Sequence, residues 1–260
     1  LFFNAGFRFT PAWSVIGGVD YVRSRNSLEV YKDTDYDLKS GEGGVRYAPG
    51  TGIEVDLVYR ATSGEYKSAQ RYGDDGSALL CNNNCRKNDY DEDSLQARVQ
   101  YRPSEDSSLG GFVGYTRRDY DQGNRHFRGL TAGFDTEWAV SGAVQMRASL
   151  GRSIEPDDDA VTGSYADTWS LNFSPTIQAT GKITVEPYLR FYDRRYKGDQ
   201  LAAGQVERKD KIYMVGAEAD YEFRRNMFLM ASISREQRDS NRANLDYKAN
   251  VFGLGLKVQF

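Results

Sequence analysis

Acidic and basic side chains recur in this chain at alternate positions of apolar segments, a spacing that gathers them on one face of extended strands. Arg46, Glu54, Asp56, Arg60, Arg98, Arg102, Asp135, Glu137, Arg147, Glu186, Arg190, Glu218, Asp220 and Lys257 all stand between apolar or small neighbours, as do Arg8 and Asp20. Two readings follow. The set can line a water-filled passage with groups suited to a hydrated sugar polymer or a polar solute, or it can serve only as cross-strand pairs within a polar interior. Glu54, Asp56, Asp135, Glu137, Glu186, Glu218 and Asp220 fall near the same end of their strands, where Arg46, Arg102, Arg147 and Lys257 are fewer. Left unpaired, those acids would favour cations at that mouth.

Other chemistries find little support. The sole His126 has no Ser or Cys nucleophile close in sequence, so a His-dependent triad has only one possible centre. No catalytic residue, cofactor or metal is expected, because neither a Gly-rich phosphate loop nor a metal-ligand spacing occurs. Cys81 and Cys85 are separated by three Asn residues in a polar stretch, with no third Cys or nearby His to complete a zinc site. In an exported protein they would oxidise to a disulfide across a loop tip, and otherwise they are free thiols. The acidic segments 89–93 and 155–159 read as loops, either solvated or able to recruit calcium. Arg117, Arg118, Arg125 and Arg128 lie near strand ends, where they could meet lipopolysaccharide phosphates. With 34 basic against 37 acidic residues and a net charge of -3, no basic face for nucleic acid is present.

The elements that position these charges are strands. Apolar residues alternate at Phe3/Ala5/Phe7/Phe9, Trp13/Val15/Gly17/Val19/Tyr21, Ile53/Val55/Leu57/Tyr59/Ala61, Leu95/Ala97/Val99/Tyr101 and Leu109/Gly111/Val113/Tyr115. The pattern continues at Leu130–Trp138, Val144–Leu150, Trp169–Phe173, Ile183–Phe191, Val215–Tyr221, Met227–Ile233 and Phe252–Phe260. With a segment near 36–48 this makes about thirteen strands. The hydrophobic fraction is only 39% and mean hydropathy is -0.67. A soluble domain of this size buries a larger aliphatic core, whereas a transmembrane barrel needs apolar residues only at every second strand position.

The connections sort into two alternating classes. Short ones are expected near 10–13, 49–52, 103–108, 139–142, 174–182 and 224–226, and long polar ones near 24–36, 62–94, 119–127, 152–165, 194–209 and 235–247. Short turns at one rim and long loops at the other is the asymmetry of outer-membrane barrels. The expectation is an all-β, antiparallel, up-and-down transmembrane β-barrel of the bacterial outer membrane, one domain over 1–260. An odd strand count also leaves the first strand running from outside to inside, which predicts at least one upstream strand and a full barrel of about 14–18 strands. Residues 174–194 are the weakest stretch, since Pro175 and Pro187 each remove a ladder donor.

Aromatics gather at strand ends: Trp13, Tyr47, Tyr59, Tyr101, Tyr115, Trp138, Tyr221 and Phe260. Rings at headgroup level would form the two girdles of a barrel, while β-propensity accounts for their number but not their position. The closing segments Arg235-Glu236-Gln237-Arg238-Asp239-Ser240 and Asp246-Tyr247-Lys248-Ala249-Asn250, then alternation to Phe260, resemble the β-barrel porin type 2 family. That resemblance covers about the last 30 residues and implies an outer-membrane barrel set in polysaccharide export or surface assembly, with no catalytic residues. The resulting expectation is a passive channel for polysaccharide. The alternatives are a non-conducting scaffold that presents its outer loops and a general diffusion porin. Expected partners are outer-membrane lipid and lipopolysaccharide, the barrel-assembly machinery through the C-terminal strand, and polysaccharide with periplasmic export components.

Overall fold

The computed structural model describes residues 1–27, 35–67, 89–121, 126–156, 165–197 and 206–258. Fourteen extended segments form one sheet: β1 (Phe2–Arg8), β2 (Trp13–Ser24), β3 (Tyr36–Tyr47), β4 (Ile53–Tyr66), β5 (Tyr90–Ser104), β6 (Ser107–Tyr120) and β7 (His126–Ser141), followed by β8 (Val144–Pro156), β9 (Tyr165–Phe173), β10 (Thr176–Thr180), β11 (Ile183–Lys197), β12 (Lys209–Arg224), β13 (Met227–Ser240) and β14 (Tyr247–Val258). Every pairing is antiparallel between neighbours in sequence, except that β9 and β10 both lie between β8 and β11.

Those two segments are one wall strand with a break. Ala148 of β8 faces Phe173 and Gln145 faces Thr176, so the register runs through unchanged. On the other side Leu189 faces Phe173 and Val185 faces Ile177, which sets Pro175 opposite Pro187. Neither proline carries an N–H, so the ladder opens there and resumes beyond. Among the described residues the wall therefore has thirteen strand positions. The expected turn at 174–182 shrinks to residues 181–182, and its first half continues the strand. Thr180 Oγ1 accepts from the N–H groups of Lys182 and Ile183 at 3.2 and 3.1 Å, which closes that turn.

The remaining connections alternate between the rims, with 9–12, 48–52, 105–106, 142–143 and 225–226 at one and the others opposite, but the long ones expected near 119–127 and 235–247 shrink to 121–125 and 241–246 because the flanking strands run on. Gly52 has φ +77°, and a Cβ there would stand 2.5 Å from the Arg102 carbonyl oxygen. Only glycine lets the β3–β4 turn approach β5 so closely.

The sheet's two faces differ in kind. Leu57 is 50% exposed while its neighbour Val58 is 1% exposed. Pairing keeps the apolar class together from strand to strand: Val15 faces Val45, Val45 faces Leu57, Leu57 faces Ala97, Ala97 faces Val113 and Val113 faces Ala132. Farther round, Phe134 faces Leu150, Leu150 faces Leu171 and Leu171 faces Phe191. This apolar face is the exposed one. Buried polar residues, among them Asp56, Ser94, Thr116, Thr131, Thr168 and Asp210, lie on the other. A water-soluble domain is built the opposite way round. The buried apolar cluster is small and aromatic, with Tyr66, Tyr90, Tyr120, Phe127 and Tyr165 at the long-connection ends of their strands.

Among the described ladders, β1 pairs only with β2 and β14 only with β13. Both edge strands run toward the short-turn rim, β1 entering the 9–12 turn and β14 leaving the 241–246 connection. No helix of the structure is long and apolar enough to cross a membrane, which says nothing of crossing by strands.

Candidate functional site: the charged face

Alternation places all fourteen charged residues singled out above on the face opposite the apolar one, and the ladder brings many of them into contact. Across β3 and β4, Arg46 grips Asp56 through Nε and Nη2, both at 2.8 Å, and reaches Glu54 at 3.2 Å. One turn of register above, Arg60 bonds Asp20 at 2.8 Å and lies 3.6 Å from Glu42, which also takes Arg98 at 3.2 Å. Asp20, Arg60, Glu42 and Arg98 thus stitch β2 to β5 by alternating signs. Cross-strand pairs of this kind contribute about 0.2–1 kcal/mol each on a wetted face.

Farther along, neutralisation thins out. Arg147 bonds Thr176 Oγ1 at 2.9 Å and lies 3.7 Å from Glu186. Glu137 takes a hydrogen bond from Gln145. Glu186 faces Glu218 directly across β11 and β12, and Thr184 faces Asp220. Among the described residues no ion pair reaches Asp135, Glu218 or Asp220, whereas Arg46 and Arg147 answer Glu54, Asp56 and Glu186. Pairing leaves the seven acids named near the short-turn end in excess over the four cations named with them. A groove of about 390 Å³ runs between Arg46, Glu54, Asp56, Arg98, Arg102 and Asp135. Arg190 stacks on Tyr188 at 4.6 Å, and Lys257 lies 5.8 Å from the Phe228 ring.

Large rings on this face lie flat over cross-strand glycines. Tyr90 covers Gly64, Phe112 covers Gly133 and Tyr188 covers Gly216. Each ring packs against the wall instead of standing out from it. A Cβ on Gly133 would meet the Phe112 ring at 2.4 Å, with no backbone atom among its nearest contacts. We therefore expect Gly133→Ala to lower stability by about 1–3 kcal/mol through overpacking. Adding Phe112→Ala should remove that penalty, and the urea midpoint in detergent would read the cycle.

Several sequence expectations change. The acidic segment 89–93 is largely strand: Asp89 accepts the Tyr66 N–H at 2.5 Å, and Glu92 pairs with Arg118 at 2.6 Å. Glu155 ends β8 and pairs with Arg194 at 3.3 Å, while 157–159 lie outside the described residues. Among the described residues no group of three or more His, Cys, Asp or Glu could hold a metal ion. Arg118 points to the charged face, buried 4.2 Å over the Tyr90 ring, and so cannot meet lipid. One step of parity separates it from Arg117, which faces outward. Cys81, Cys85 and Arg125 fall outside the described residues, as does Phe260. The other seven girdle aromatics lie on the apolar face. Trp13, Tyr47, Tyr101, Trp138 and Tyr221 stand at its short-turn margin, with Trp13 and Tyr47 rings 4.9 Å apart, and Tyr59 and Tyr115 stand toward the other margin.

Glu42 escaped the sequence reading, which took Glu92 only as part of the acidic loop 89–93. Glu42 sits among Ser40, Gly41, Gly43 and Gly44, where no apolar alternation marks the faces. Counting back by twos from Arg46 would have found it.

This wall has counterparts among solved structures. The copper transporter OprC aligns over 97% of this chain and 50% of its own at 11% identity, with TM-score 0.61. The structure of the FpvAI-pyocin S2 complex aligns over 100% of this chain and 42% of its own at 11% identity, with TM-score 0.54. These likenesses concern the fold, and this chain spans half or less of the length of either. Comparison with curated proteins returned no match. The fold, an up-and-down antiparallel sheet with its apolar face outward, is that of an outer-membrane β-barrel. The family model described as "Putative beta-barrel porin 2" matches residues 107–260, more than half of the sequence, and the chain belongs to that family.

Proposed function

We propose that this chain forms most of the wall of a passive channel in the bacterial outer membrane that passes polysaccharide during secretion or surface assembly. The observation that carries the channel reading is the inversion of faces, with lipid-compatible residues outside and paired charges within. The inner lattice supports a hydrated cargo, because it offers hydrogen-bonding groups. No catalytic role is proposed for any residue. A closed wall is part of the proposal. In hydrocarbon, unpaired edge N–H and C=O groups cost several kcal/mol each, so open edges do not persist. Since β1 and β14 run the same way, an all-antiparallel closure takes an odd number of strands besides those described. A second copy inserted in the same orientation would meet these edges in parallel. The C-terminal strand is the proposed handle for the barrel-assembly machinery, and periplasmic export components are the proposed donors of cargo.

Planar-bilayer recording of the full-length protein tests the channel, and sustained open currents are expected. A silent barrel would favour the scaffold reading, in which the long loops serve partners. Deleting the gene should deplete surface polysaccharide and leave small-solute uptake unchanged, and the reverse result would identify a general porin. The unpaired acids add a finer expectation. Asp135→Asn, Glu218→Gln and Asp220→Asn together should move the reversal potential in a salt gradient toward anion preference, because they remove negative charge from one mouth. No movement would mean that these carboxylates do not face the ion path.

A further inference from the structure

We propose that Arg117 and Arg128 form a clamp for the phosphate of an anionic glycolipid in the outer leaflet, lipid A in chemical terms. The proposal rests on the membrane-spanning reading above. The two guanidinium-bearing residues face each other directly across β6 and β7, on the apolar face, one step beyond the last apolar pair, Tyr115 and Leu130. That step puts them where acyl chains give way to headgroups on the long-loop side. Both are exposed, with the Arg117 side chain at 53%.

Like charges directly opposite on neighbouring strands repel. Elsewhere on the apolar face Lys39 pairs with Glu65 at 2.9 Å, Arg23 with Asp37 at 3.2 Å and Arg152 with Asp167 at 2.8 Å. Around the arginine pair the local acids are Asp119, which accepts from Arg117 at 2.6 Å, Asp93, opposite Arg117 and bonded by the Tyr59 hydroxyl, and Asp91, opposite Asp119. His126 faces Asp119. All three acids thus stand on the Arg117 side, and among the described residues no ion pair reaches Arg128. A phosphate seated between the two arginines would relieve their repulsion and accept paired N–H bonds from planar donors, the geometry arginine suits best. Its acyl chains would lie down the apolar face over Tyr115, Leu130 and Val113.

The test uses the full-length protein folded in detergent, with lipid A, dephosphorylated lipid A and inorganic phosphate as separate probes. Lipid A should bind at least about tenfold more tightly than its dephosphorylated form, and Arg117→Gln with Arg128→Gln should abolish that difference. Arg117→Lys with Arg128→Lys should restore it only in part, because charge returns without the bidentate fork. Equal binding of both lipids, an unaffected double variant, or inorganic phosphate binding as tightly as lipid A would overturn the clamp. Conductance of the double variant separates this failure from failure of the channel reading, since these residues lie outside the lumen.

Discussion

Leu57→Arg should stop the wall from folding into lipid vesicles, while Gln100→Arg on the opposite face of the neighbouring strand should leave folding intact. Leu57 lies mid-strand on β4, half exposed, with Val45 and Ala97 beside it on the apolar face. Arginine near a bilayer midplane costs about 2–4 kcal/mol in a barrel wall, and a lumen-facing charge costs little. If this surface met water, the same Leu57→Arg change would be neutral or would improve solubility, so the experiment reads sign as well as size. The assay is the fraction that becomes protease-resistant and heat-modifiable in vesicles. Equal yields for the two variants would sink the assignment of faces.

Asp210→Ala should cost about 3–5 kcal/mol, the range for removing one member of a buried ionic group. Asp210 is fully buried; its carboxylate accepts from Arg208 Nη2 at 2.6 Å and Ser240 Oγ at 2.7 Å and forms an ion pair with Arg238, whose Nε lies 3.1 Å away. Arg208 is 1% exposed and lies 4.3 Å over the Tyr196 ring. The knot therefore joins the end of a long connection to β11, β12 and β13. Truncating the acid strips two guanidinium groups of their shared carboxylate in a site that water does not reach. Asp210→Asn keeps the shape and one acceptor oxygen, and should lose less. Urea midpoints in detergent give both values, and a change within about 0.5 kcal/mol for Asp210→Ala would place the aspartate among ordinary surface positions.

Much of this was legible beforehand because a strand's two faces are written in period two. Leu57 beside Val58 shows where that ends: both are aliphatic, and only the apolar partners of Leu57 across the ladder say which one faces out. Arg117 and Arg118 show the same limit for charge, as adjacent arginines with opposite destinations. The stretch around Pro175 reads from sequence as weak, with a bulge or a shifted turn, because a proline deletes a donor without saying whether the strand resumes. Register with β8 and β11 answers that, by setting Pro175 against Pro187.

What the amino-acid order determined alone was the alternation, the unequal connections and hence a wall with one oily and one polar side. These are local properties, set by side-chain direction along an extended backbone. Which charges neutralise each other was decided only by tertiary structure. Arg60 meets Asp20 forty residues away and Arg98 meets Glu42 across fifty-six, through strands that lie between them in the sheet. Contacts of that reach depend on cumulative register over several ladders, and no local pattern carries that information.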